Sequence, residues 1–64
     1  MALRRGDRVE VTRNDYAEPG ERTFVGEKGN VTGTMPGNGA PIVAVRLDGE
    51  TRSLGFGAEE LKRR

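Results

Sequence analysis

The longest turn-rich stretch of the chain opens with Arg13, Asn14, Asp15 and Tyr16, and it closes with Arg22 and Phe24. Together these residue types suit contact with a nucleic-acid strand. An arginine makes charge-assisted contacts to phosphate, an asparagine offers amide hydrogen bonds, and an aromatic ring offers a flat face on which a base stacks. Arg13, Asn14, Tyr16, Arg22 and Phe24 are therefore the candidate nucleic-acid-binding residues. A competing reading of equal weight gives them no ligand: Tyr16 and Phe24 fold the loop onto the body of the domain, and the polar residues make its turns.

Catalytic chemistry finds little to work with. The chain has no cysteine and no histidine, which removes disulfides, zinc and haem ligation and every nucleophile activated by imidazole. Glu59 and Glu60 are neighbours on a short helical turn, where successive side chains point apart and form no acid–base dyad. Asp48 and Glu50 flank a turn, but two carboxylates fall short of the roughly six to eight oxygens that calcium takes. All four read as solvated surface. Gly37-Asn38-Gly39 lacks the spaced glycines, following helix and lysine of a phosphate loop and reads as a hairpin turn. Gly55-Phe56-Gly57 reads as a core plug between flexible neighbours. The expectation is a non-catalytic module with no cofactor and no metal.

Net charge is only +1, but it is unevenly spread. Arg4, Arg5, Arg8 and Arg13 outnumber Asp7 and Glu10 at the start, and Lys62, Arg63 and Arg64 make the end wholly basic. The middle is acidic. If the two ends meet, their charges form one patch; otherwise they are solubilising charge at frayed ends. Gly6, Asp7 and Arg8 follow Arg4 and Arg5 where a signal peptide needs an apolar run. The most apolar stretch, residues 40–47, is interrupted by Pro41 and Arg46 and is far shorter than the ~20 residues of a membrane span. The expectation is a soluble, cytoplasmic protein with no membrane partner.

Something must position these residues, and 64 residues with ten glycines, three prolines and 33% apolar residues suit one small, turn-rich β domain. Residues 8–12 alternate with period two, placing Val9 and Val11 inward. Residues 13–27 lack a sustained period and read as a long loop, a feature that is often functional. The second strand falls over residues 28–35, with Gly29, Val31, Gly33 and Met35 on one face. Residues 42–47 form the central strand. Asp48-Gly49 signals a tight hairpin into a fourth strand over residues 50–54, with Leu54 opposite Val43. Ala58 to Glu60 make one helical turn before Leu61 returns to the core.

The predicted core is Val9, Val11, Val31, Met35, Val43, Val45, Leu47, Leu54, Phe56 and Leu61, with Phe24 or Val25 closing one end. The fold expectation is all-β: a small SH3-like barrel of four to five antiparallel strands with one short helical turn before the last strand. It occupies residues 1–64 as a single domain, with 1–5 and 62–64 as basic, flexible ends. Self-association is a permitted outcome for so thin a core.

Gly6-Asp7-Arg8-Val9, Arg13-Asn14-Asp15-Tyr16, Gly26 with Gly29 and Val31, and Val45-Arg46-Leu47-Asp48-Gly49 together resemble the SH3-like insertion of RecD-type helicases and conjugative relaxases. That resemblance implies a barrel beside the path of single-stranded DNA, with the loop from Arg13 to Phe24 facing the strand. The same glycine and valine spacing is similar to KOW modules of ribosomal and transcription factors. Phe56 followed by Glu60-Leu61 resembles the last turn and strand of electron-transport accessory barrels: the small barrel of photosystem I, the ferredoxin-thioredoxin reductase variable chain and the β chain of nitrile hydratase. Those resemblances imply two alternative partners. One is a single-stranded nucleic acid. The other is a larger redox or metabolic enzyme complex, docked through the face around Glu50, Arg52 and Phe56.

Overall fold

Alternating Val9 and Val11 with Arg8 and Glu10 makes β1 (Arg8–Val11) a strand with one buried face. The same period shapes β2 (Lys28–Met35) and β3 (Ile42–Leu47), whose bounds coincide with those predicted. The computed structural model describes residues 3–14 and 18–64. Within them the chain is all-β, completed by β4 (Leu54–Gly57), a 3-10 turn at Ala58–Glu60 and β5 (Leu61–Arg63). One antiparallel sheet holds all five strands in the order β4-β3-β2-β1-β5.

Strands β4 and β5 are opposite edges of that sheet, yet only the three residues of the 3-10 turn separate them in the chain. Laid flat, five strands would hold their edges about 19 Å apart. The four Cα steps from Gly57 to Leu61 reach at most about 14 Å. The sheet is therefore curled, a form compatible with a barrel-like domain, and its inner face encloses the core. Val9, Val11, Val31, Val43, Val45, Leu47 and Phe56 are buried there, with Leu3, Phe24, Leu54 and Leu61 packed at its margin. Of the two residues expected to close one end, Phe24 packs against the core, while Val25 is 51% exposed.

Met35 is not in the core; it too is 51% exposed. The pairing of β2 with β3 steps from Val31↔Val45 to Gly33↔Ala44, leaving Thr32 as the extra residue of a β-bulge. A one-residue slip exchanges the faces of a strand. Beyond the bulge Thr34 opposes Val43, and Met35 opposes Ile42 on the outer side.

The fourth strand also differs from expectation. The turn at Asp48-Gly49 forms, with the Glu50 N–H donating to the Leu47 carbonyl at 3.0 Å and Gly49 at φ 85°. Pairing resumes only at Leu54, which opposes Val45 rather than Val43, and Phe56 takes the place opposite Val43. This register is shifted by two residues from that of a tight hairpin. Leu54 keeps its inward face, and the larger Phe56 ring gains the centre of the core, where its burial contributes most.

Residues 62–64 are not a loose end: Lys62 and Arg63 belong to β5, and the Arg64 N–H donates to the Arg8 carbonyl at 2.8 Å. Glu60, expected from sequence to be solvated, is fully buried. Its carboxylate accepts from the Gly57 N–H at 2.8 Å, and its main-chain carbonyl accepts from the Thr12 N–H at 2.8 Å and the Thr12 hydroxyl at 3.0 Å.

Substitutions at Gly29 and Glu60 test these contacts. A Cβ on Gly29 would lie 2.4 Å from the Arg46 carbonyl oxygen and 2.7 Å from the Leu47 Cα, whereas one on Gly33 would meet nothing within 4 Å. Gly29→Ala should cost about 1–3 kcal/mol or more in a urea titration, and Gly33→Ala should be close to neutral. Glu60→Ala strands the Gly57 N–H and should cost about 1–3 kcal/mol. Glu60→Gln keeps an acceptor there and should cost less, as thermal melts of the two variants will show.

Candidate nucleic-acid interface

The long loop is anchored at its base by continued pairing. The Val11 N–H donates to the Glu27 carbonyl at 2.9 Å, and the Gly26 N–H donates to the Val11 carbonyl at 2.8 Å. Higher up, the Asn14 amide donates to the Thr23 carbonyl at 3.3 Å and ties the two arms together. Around Pro19 and Gly20 the tip closes on itself. There the Glu21 N–H donates to the Glu18 carbonyl and the Glu21 carboxylate accepts from the Glu18 N–H.

Phe24 sits at φ 63°, the one positive-φ residue other than glycine among the described residues. A bulky side chain in this region costs of order 1–3 kcal/mol and persists only where its surroundings impose it. Two contacts do so. The ring packs at the core margin, and the Arg22 guanidinium lies over it, 4.5 Å from the centroid. Arg22 also pairs with Glu27 at 2.5 Å, yet its side chain stays 61% exposed.

The structure thus brings Arg22 onto Phe24 and ties Asn14 to Thr23 between them. Arg13 is exposed at the base of the loop, beside the carbonyl of Glu60. Tyr16 and Asp15 lie outside the described residues. The loop's own acids Glu18, Glu21 and Glu27 share this region.

Ion pairs along β1 join residues that lie far apart in the sequence. The Arg8 guanidinium grips Asp48 with two hydrogen bonds, at 2.8 and 2.5 Å, and reaches Asn30 Oδ1 at 3.1 Å. Arg63 pairs with Asp7 at 3.6 Å and Arg64 with Glu10 at 3.4 Å. The hydrogen bonds from Arg8 hold the Asp48 carboxyl below its ordinary range against a small desolvation penalty, and the charges of Arg8 and Lys28 add to the effect. The same pairing raises the Arg8 guanidinium above its ordinary value.

On another side of the molecule an open groove of about 400 Å³ lies between the 36–41 turn and β4, with Ile42 and Gly55 in its wall and Glu59 at its edge. It offers no nucleophile beside a base. The docking face expected around Glu50, Arg52 and Phe56 loses its aromatic member, because Phe56 is 3% exposed and belongs to the core. Among the described residues no three Asp or Glu side chains gather as metal ligands, and no helix is long and apolar enough to cross a membrane.

No protein-family model, curated protein or solved structure matches this chain.

The Asp48 pairing has a pH signature. A carboxyl lowered in the folded state contributes stability above its ordinary pKa of 3.8, and that contribution is lost as pH falls through the lowered value. Wild type should therefore exceed Asp48→Asn in urea midpoint near neutrality, and the gap should close as the solution is taken down to about pH 2. Both partners are exposed, so the gap is small and should shrink in ~1 M salt, where the screening length is about 3 Å.

Proposed function

We propose that this chain is a non-catalytic nucleic-acid-binding module that receives a single strand at the loop of residues 12–27. The observation that carries the reading is the Arg22 guanidinium over the Phe24 ring, with the Asn14 amide on the adjoining Thr23 carbonyl. The cation lies over the ring and the amide is bonded to the residue between them, so a base reaches the Phe24 face as Arg22 turns outward to its phosphate; these are residue types that hold a phosphate and a stacked base. The positive φ of Phe24 supports the same reading, since backbone outliers cluster at ligand clamps. Exposed ion pairs are worth about 0–1 kcal/mol, so a phosphate displaces Glu27 from Arg22 at little cost. The lack of histidine and cysteine supports a binding role over a catalytic one.

Protein docking within a larger complex is the second reading. It is favoured by the open groove beside Pro41 and Ile42 and by the exposed Met35 on the same side of the bulge.

A fluorescence titration with a labelled single-stranded oligonucleotide at two salt concentrations separates the two. Phe24→Leu removes the ring and its contact with Arg22; measured below the variant's own melting midpoint, it should weaken binding by about 1–3 kcal/mol. Arg22→Gln should reduce the slope of log affinity against log salt by about 0.7. A wild-type chain that binds no oligonucleotide at low salt rejects the nucleic-acid reading and leaves docking.

A further inference from the structure

The strand register carries basic residues from four strands onto the outer face of the sheet, in two rows. In the first, Glu10 opposes Lys62 on β5 and Lys28 on β2. That row continues to Asp48, whose N–H donates to the Lys28 carbonyl. In the second, Arg8 opposes Asn30, which opposes Arg46 on β3, and Arg64 adjoins Arg8 at the far end. Residues paired across antiparallel strands project to the same side. Val9, Val31 and Val45 alternate with them and fill the core, which puts both rows outside.

Five cations on this face meet two carboxylates. Asp48 is taken by Arg8 and Glu10 by Arg64, so Lys28, Arg46 and Lys62 are the surplus, all three exposed. No ion pair or side-chain hydrogen bond among the described residues holds them. The face is thus strongly positive on a chain whose total charge is +1. The rows lie about 7 Å apart and run about 14 Å across four strands. They also adjoin the long loop, because Lys28 follows Glu27, the residue that holds Arg22.

We infer that the outer face of β5, β1, β2 and β3 is a phosphate track, on which Lys28, Arg46 and Lys62 hold the backbone of a nucleic-acid strand leaving the loop. The inference rests on the nucleic-acid reading above and extends it to a second surface. An anionic membrane would meet the same charges, but neither row carries an apolar side chain to enter a bilayer. Asn30, between Arg8 and Arg46, instead adds an amide for sugar or base contacts.

The test compares the full chain with Lys28→Gln/Arg46→Gln/Lys62→Gln and with a charge-matched control, Arg4→Gln/Arg5→Gln/Arg52→Gln, whose sites lie outside the rows. The probes are a labelled oligothymidine and vesicles containing phosphatidylserine, each titrated at two salt concentrations, with folding checked by thermal melts. The face variant should bind the oligonucleotide at least about tenfold more weakly at low salt and lose about 2 units of salt slope, close to 0.7 for each of the lost phosphate contacts. The control should change affinity less than about threefold. Equal losses in both variants would reduce the effect to total charge and overturn the track. Wild-type affinity in the face variant would also overturn it while leaving the loop reading intact. Failure of the wild-type chain to bind the oligonucleotide, with or without vesicle binding, rejects both readings.

Discussion

A three-residue link between the two edges of the sheet is the constraint on which this structure depends. The 3-10 turn at Ala58–Glu60 must carry the chain from β4 to β5, and it does so only if the sheet curls until those edges approach. Glu60 holds the junction. Its side chain fastens to the end of β4 at Gly57, and its main chain receives the end of β1 at Thr12. Burying a carboxylate is costly unless it is hydrogen-bonded, and among the described residues no buried side-chain nitrogen or oxygen lacks a partner. The curl in turn brings the backbone of β3 against Gly29, where no side chain fits.

The bulge at Thr32 then divides the outer surface into two regions of different chemistry. Before it, β2 presents Lys28 and Asn30 beside Arg8, Glu10 and Arg46. After it, the outer side carries Met35, Ile42 and Ala44. One extra residue therefore separates a charged half from an apolar half on the same sheet. The hydroxyl of Thr32 fastens this step, donating to the Ala44 carbonyl and bonding the Ser53 hydroxyl at 2.7 Å. The 48–53 connection is thereby drawn over the bulge.

Apolar burial holds the fold, and the surface charges are arranged on top of it. Exposed ion pairs such as Arg8–Asp48 and Arg22–Glu27 contribute little to stability. The loop is built differently. Its conformation at Phe24 is imposed by packing at the core margin and by the Arg22 guanidinium over the ring.

Period-two alternation over residues 8–12 and 28–35, with the apolar run of residues 42–47, determined β1, β2 and β3 and six of the seven buried apolar positions, because one face of each strand has to leave water. Glycine, proline and asparagine placed the turns, and Phe56 between two glycines was legible as the seventh core residue. The alternation could not register the extra residue at Thr32, which carries no compositional mark, and so it put Met35 inside. Nor could it choose the β3–β4 register: shifts of two residues preserve the inward face, and packing of Phe56 decided between them. In the candidate site, Arg22 and Phe24 were readable as a cation and an aromatic two residues apart, but their stacking and the Glu27 pairing depend on a left-handed turn. Glu60 looked like surface because carboxylates usually are, and Lys28, Arg46 and Lys62 looked unrelated because long gaps separate them in the chain. Only the curled tertiary structure buried the one and aligned the others, since contacts between distant strands are set by register and closure rather than by local residue type.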